Sequence, residues 1–327
     1  MDPREFCVQT RLVIVAGKGG VGKTTVSAAL ARMAADVGLS VLLVEIEGKH
    51  GLAAAFGAPT LTYDEQELAP GIRGRTLTPD QALIEYLEDH GLRRMSKRLT
   101  RTGAVDVVAT AAPGIKDILL LGKVKQLVQR SDVDLVVLDA PAAGHAVTFL
   151  LSPRSLLDTV SVGPIRDQAE DVLEMLTDAG RCRVLLVTLP EETPVNEVVE
   201  TAFTLEDKVG VDLGPVVVNA VYPRVEGLDV DPEQAAEAAD VGLRPGEADA
   251  LRRAAGFRRA RQQLQAEQVA RLADALPLAQ LHVPALFTAE IDAPEIAVLG
   301  AALAESVAAL EPEPADASTT AFGPRGP

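Results

Sequence analysis

The sequence predicts an α/β fold, a doubly wound and mostly parallel sheet flanked by helices, on three observations. Short runs rich in valine and leucine recur along the chain with helix-compatible stretches between them, the pattern of strands buried on both faces and joined by crossover helices. The 327 residues are 47% hydrophobic but only 3% aromatic and lack tryptophan, so the core is aliphatic, as parallel sheets tend to be. A turn dense in glycine joins the first run to the first helical stretch, and such a turn lets backbone approach a ligand closely.

In chain order, the strands are expected at Leu12–Ala16, Val41–Ile46, Leu135–Leu138, Val184–Leu189 and Val216–Val218, with a weaker one at Leu278–Val283. Thr78-Pro79-Asp80 reads as an N-cap with proline in the first turn, opening a helix through Ala82, Leu83 and Leu87. Pro113-Gly114 precedes Ile115, Ile118, Leu119, Val124 and Leu127 at helical spacing. These two stretches make a helical subregion at about 78–130. A long helix is expected at about 245–275, with Leu251, Ala255, Leu264, Val269 and Leu272 on one stripe lying against the domain. One domain is expected over 1–310, followed by a proline-rich, nearly core-free tail at 311–327 that should be disordered.

The first strand runs into Gly17-Lys18-Gly19-Gly20-Val21-Gly22-Lys23-Thr24-Thr25, which satisfies the phosphate-loop pattern with a strand before it and a helix after it. A polyphosphate needs many donors in a small volume. The backbone N–H groups from Gly19 to Thr25 would supply them, the following helix would point its positive end at the anion, and Lys23 would reach the β- and γ-phosphates. The Thr24 hydroxyl would sit on Mg²⁺. Hydrolysis also needs a carboxylate for the metal and a group to position water. Asp139, at the end of an aliphatic strand, has the Walker B arrangement for the metal.

Charge and composition restrict the function further. A net charge of −16 argues against a protein that grips nucleic acid, because phosphate contacts need basic surface. Cys7 and Cys182 are far apart and no Cys-x-x-Cys occurs, so neither a disulfide framework nor a cysteine zinc site is indicated. No apolar run is long enough to span a bilayer, and the N-terminus lacks the apolar core of a signal peptide. A cytoplasmic location is expected, with no integral membrane segment.

Gly-Lys-Gly-Gly-Val-Gly-Lys-Thr-Thr resembles the deviant Walker A motif, and the similarity continues into the anion-transporting and tail-anchored-protein-targeting ATPases. Glu47-Gly48-Lys49-His50-Gly51-Leu52 through Phe56 resembles their first switch, with Glu47 in place of the family aspartate that positions the attacking water. Asp139 through Gly144-His145 resembles their second switch, with alanines at Ala140 and Ala143 where threonines occur. Pro113-Gly114-Ile115 resembles a family segment as well. Asn219, at a strand end, matches the base-contacting asparagine, although by itself an asparagine there serves equally as a cap. Pro284 falls where the family closes over the adenine.

The resemblance, which runs from about Leu12 to Leu310, implies a slow Mg·ATP-dependent ATPase. Its cofactors would be ATP and Mg²⁺, with no zinc or iron–sulfur cluster. The implied catalytic groups are Lys18, Glu47 and Asp139; the nucleotide would be held by Gly19, Gly20, Val21, Gly22, Lys23, Thr24, Thr25, Asn219 and Pro284, and the metal by Thr24 and Asp139. Lys18 would reach across a dimer interface to the partner's nucleotide, in a homodimer or with a paralogous ATPase. The family's arsenite-handling cysteines and targeting zinc clasp have no counterpart in this sequence, and only Met95 stands where a methionine-rich groove would be. The client, expected to be a protein, is therefore unassigned. Prevalence of arginine over lysine and an alanine-rich composition suggest a GC-rich bacterial genome, and the sequence resembles the actinobacterial branch of the family. The rival reading is an ATP-holding scaffold with weak hydrolysis, motivated by Glu47.

Overall fold

The computed structural model describes residues 1–46, 51–94, 96, 114–141 and 144–310. Glu47, Lys49 and His50 of the first switch therefore lie outside the described residues, as do Met95, Lys97, Arg98, Arg101, Pro113, Ala142, Ala143 and the 311–327 tail. The elements run α1 (Pro3–Val8), β1 (Leu12–Ala16), α2 (Lys23–Asp36), β2 (Val41–Ile46), α3 (Gly51–Ala55), β3 (Gln66–Ala69), β4 (Ile72–Leu77) and α4 (Pro79–Asp89). There follow α5 (Ile115–Arg130), β5 (Leu135–Asp139), α6 (Gly144–Thr159), α7 (Pro164–Thr177), β6 (Cys182–Thr188), α8 (Glu192–Lys208) and β7 (Val216–Val221). The last are α9 (Pro232–Ala238), α10 (Glu247–Ala275), β8 (Gln280–Pro284) and α11 (Ala293–Ala308).

Eight strands form one sheet in the order β3-β4-β2-β5-β1-β6-β7-β8. Every neighbouring pair is parallel except β3 with β4. The continuous apolar runs reflect burial on both faces. Val13, Val15, Leu43, Val137, Val187 and Val217 pack toward α2 and α11, while Ile14, Leu42, Val44, Leu138, Leu186 and Val218 pack toward α5, α6, α7 and α8. β1 lies between β5 and β6, so the chain passes to opposite sides of β1 and leaves a crevice at the strand C-termini. Thr78 caps α4 as its sequence predicts, accepting a hydrogen bond from Gln81 N at 3.3 Å.

Two expectations need correction. β3 and β4 are additional strands, and β4 adds to the parallel sheet beside β2. Its sequence, Ile72-Arg73-Gly74-Arg75-Thr76-Leu77, has no aliphatic run because Arg75 is buried over the Tyr63 ring, 4.6 Å from its centroid, and ion-paired with Glu65. The second concerns α10. Leu251 and Leu264 are 47% and 52% exposed, and the buried residues of the helix are Gln265 and Leu272. A 29-residue helix is about 43 Å long, against about 17 Å for five-residue β8, so only about its last two fifths can lie along that strand.

Candidate functional site

The crevice brings the phosphate loop and Asp139 together. β1 and β5 are in register, with Val15 opposite Asp139, so the loop leaving β1 starts beside that carboxylate. Asp139 is fully buried, and Thr24, in the first turn of α2, donates its hydroxyl to Asp139 Oδ2 at 2.7 Å. Residues 115 positions apart in the chain thus form one hard-oxygen pair at the N-terminus of a helix.

Two glycines show why the loop cannot carry side chains at those positions. Gly17 has φ +147°, and a Cβ there would come within 2.5 Å of Val187 O on β6. Gly22, the N-cap of α2, has φ +89°, and a Cβ there would meet Asn219 Nδ2 at 2.2 Å. Asn219 in turn donates from Nδ2 to Val21 O at 2.9 Å. It therefore braces the loop from β7, two strands away from β1; in this geometry its amide serves the phosphate loop rather than a cap on its own strand.

Lys23 is 6% exposed and donates from Nζ to Lys18 O at 2.9 Å, which folds its side chain back across the loop. Lys18 points elsewhere. Its ammonium lies 3.6 Å from Glu197 Oε1 on α8, with side chains 38% and 34% exposed; such a half-exposed pair is held weakly. Glu197, on a helix 179 residues further on, is a partner that only the fold reveals. Pro284 ends β8 opposite Val221, and Ala285 N donates to Val221 O at 2.8 Å, so β7 and β8 end together near Asn219.

Glu45 stands two residues before Glu47 in the sequence. The structure puts it on β2 in register with Asp139 on β5, fully buried, accepting from the Thr76 hydroxyl at 2.7 Å. Two carboxylates therefore face the α2 side of the sheet on adjacent strands. Gly51 returns the first-switch segment against Thr24, where a Cβ would lie 2.8 Å from Thr24 Cγ2.

These residues fit a Mg²⁺–polyphosphate. Among the described residues no group of three or more His, Cys, Asp or Glu forms a metal cage. Mg²⁺ characteristically takes one or two protein oxygens and completes its shell with phosphate and water, which is the donor set Thr24 and Asp139 provide. The thiols offer no competing chemistry. Burial, with the Asp2 charge adding to it, pushes Cys7 up to about 12, and burial raises Cys182 as well, so neither forms a thiolate readily. His90 bonds Tyr86 O through Nδ1 at 2.8 Å, whereas partial desolvation holds His282, exposed on β8, below the ordinary histidine range.

Comparison with known proteins agrees with this geometry. Residues 10–162 match the family model described as Anion-transporting ATPase. The chain is 37% identical over 252 residues to ATPase BagA of Mycobacterium tuberculosis, covering 73% of this chain and 71% of that protein. The chain belongs to the anion-transporting ATPase family. More distant family relatives include a Halobacterium salinarum protein named as an arsenical pump-driving ATPase, 27% identical over 67% of this chain and 37% of its own. ATPase get3 of Schizosaccharomyces japonicus is 34% identical over 44% of each chain. The family match ends soon after α6, so β6 to α11, including Glu197 and Asn219, are placed by the fold and not by that match. No helix among the described residues is long and apolar enough to cross a membrane.

Proposed function

We propose that the protein is a Mg·ATP-dependent ATPase that switches conformation with its nucleotide and works as a dimer, with itself or with a paralogue, on a client not yet assigned. The observation that carries this reading is the 2.7 Å bond from the Thr24 hydroxyl to Asp139, which sets the two metal-holding oxygens of a phosphate-loop ATPase side by side.

Each residue then has a role. The backbone N–H groups of Gly19, Gly20, Val21, Gly22, Lys23, Thr24 and Thr25 bind the phosphates, aided by the α2 dipole. Lys23 exchanges the Lys18 carbonyl for phosphate oxygens. Thr24 and Asp139 would hold Mg²⁺, which when bound would supply charge neutralisation to the phosphates. Asn219 and Pro284 border the base, and Glu47 positions the attacking water. Lys18 serves the partner's nucleotide, stabilising charge that develops on the transferred phosphoryl group, as an arginine finger does in trans.

A second reading, an ATP-holding scaffold with weak hydrolysis, is favoured by one observation: Lys18 is engaged by Glu197 of its own chain. Low basal turnover that rises when a partner draws Lys18 away would reconcile the two readings. The acidic net charge of −16 speaks against a DNA-bound partition ATPase. Mixing tests the shared site. Lys18→Ala should bind ATP through Lys23 yet lose turnover, and adding the Lys23→Ala chain, which keeps Lys18, should restore part of it. Turnover per chain that stays constant on dilution to a monomer, with Lys18→Ala as active as the parent, would overturn the proposal.

A further inference from the structure

The strand that carries Asn219 is irregular at the position where Asn219 leaves it. Val218 pairs with His282 and Val221 with Pro284, so β7 spends one residue more than β8 over the same stretch, which is a bulge. Ala220, within it, has φ +58°, a left-handed conformation that residues with a side chain adopt at a cost. A bulge leaves backbone groups that the neighbouring strand cannot pair, and something else must hold them.

Gln265 of α10 holds them. It is 5% exposed, and its carboxamide bonds both sides of the bulge: Oε1 accepts from Tyr222 N at 2.8 Å and Nε2 donates to Ala220 O at 3.1 Å. It is not alone on the helix. Gln262 Nε2 and Arg258 Nη2 each donate to Pro223 O at 2.9 Å. Positions 258, 262 and 265 fall on one helical face, so a stripe of α10 that elsewhere would be apolar is polar and grips residues 220–223. The Arg258 guanidinium also lies over Tyr222 and Phe287, 4.5 and 4.8 Å from their ring centroids. The other end of the same bulge is the Asn219 bond to Val21 O.

We infer that Gln265 is a positioning residue: it fixes the β7 bulge in the conformation that delivers Asn219 to the phosphate loop, and so couples α10 to nucleotide affinity. This rests on the nucleotide reading of the site given above. Without the carboxamide, Ala220 can relax to an extended conformation, which moves the strand end and withdraws the Asn219 amide from Val21 and Gly22. The coupling runs both ways. Whatever engages the exposed part of α10, or the cleft of about 800 Å³ beneath it lined by Tyr222, Arg259, Gln262, Gln265 and His282, has a route of three residues to the phosphate loop.

The test is a double-mutant cycle on Mg·ATP affinity, measured by calorimetric titration of the full chain as parent, Gln265→Leu, Asn219→Ala and the two combined. A carboxamide acting through Asn219 predicts about a tenfold loss for Gln265→Leu in the parent, the order expected for one buried hydrogen bond. It predicts less than a twofold loss in the Asn219→Ala background. Amide exchange at Tyr222 should quicken in Gln265→Leu, since that N–H loses its acceptor. The same factor in both backgrounds, or no loss in either, overturns the inference. If Gln265→Leu does not fold, Gln265→Glu, which keeps the size and the acceptor but not the donor to Ala220, enters the same cycle under the same criterion. Failure of the nucleotide reading shows separately, as no binding of Mg·ATP by the parent.

Discussion

Replacing Asp139 by asparagine separates the folding role of this side chain from its role toward metal. The carboxylate is fully buried and accepts the Thr24 hydroxyl at 2.7 Å. The Asn amide oxygen can accept the same hydrogen bond, at a loss of about 1 kcal/mol for exchanging a charged acceptor for a neutral one. The nucleotide-free variant should therefore fold and melt about 2 °C below the parent.

With ligand the difference widens. ATP at about 100 times its dissociation constant adds about 2.7 kcal/mol to the parent. If Mg²⁺ tightens ATP by about tenfold, the metal-dependent share is about 1.4 kcal/mol. At about 2 °C per kcal/mol for a chain of this size, that share is a rise of roughly 3 °C. Thermal melts in ATP, with Mg²⁺ and with chelator, should show this increment in the parent and not in Asp139→Asn. An undiminished increment in the variant would mean that the metal is held elsewhere, and Glu45, the register neighbour on β2, would be examined next.

Three further outcomes are expected. Gly22→Ala places a Cβ at 2.2 Å from Asn219 Nδ2 in a backbone with φ +89°; it should cost stability by about 1–2 kcal/mol from the backbone alone and weaken Mg·ATP binding in titration, so an alanine variant with parental affinity would contradict the loop geometry. Glu47→Gln should lower phosphate release by on the order of 100-fold or more while retaining ATP, and full release in that variant would move the water-positioning role to another residue. Partial desolvation holds His282, exposed on β8, below its ordinary pKa, so the unfolded chain binds this proton more readily and stability falls as pH drops below about 6.5; urea midpoints at pH 5 and pH 8 should differ slightly more for the parent than for His282→Gln, and equal differences would remove His282 from the acid limb.

What the sequence made legible was local. The strand, glycine loop and helix from Leu12 to Asp36 follow one another directly, and the Val-Val-Leu-Asp run ending at Asp139 announces both a buried strand and the residue at its tip. Pairs made by the fold were not legible. β4 escaped notice because its inward arginine is neutralised by Glu65 and Tyr63, which precede it in a segment without periodicity. Glu197 becomes the partner of Lys18 only because α8 packs beside the loop. Gln265 interrupts an apolar stripe on α10, and nothing near it in sequence reveals that its carboxamide replaces a missing strand partner for Ala220 and Tyr222.

Phosphate release by the purified chain in Mg·ATP, beside the same measurement on Lys23→Ala, tests the central claim most directly. Lys23 contributes a cation and a bond to Lys18 O and belongs to neither large apolar core cluster, so the variant should keep the parent's circular dichroism without ligand. The account predicts slow, saturable, Mg²⁺-dependent release in the parent, raised by the dimer partner, and none above background in folded Lys23→Ala. Equal release by the two chains, or unchanged ATP affinity in the folded variant, would contradict it.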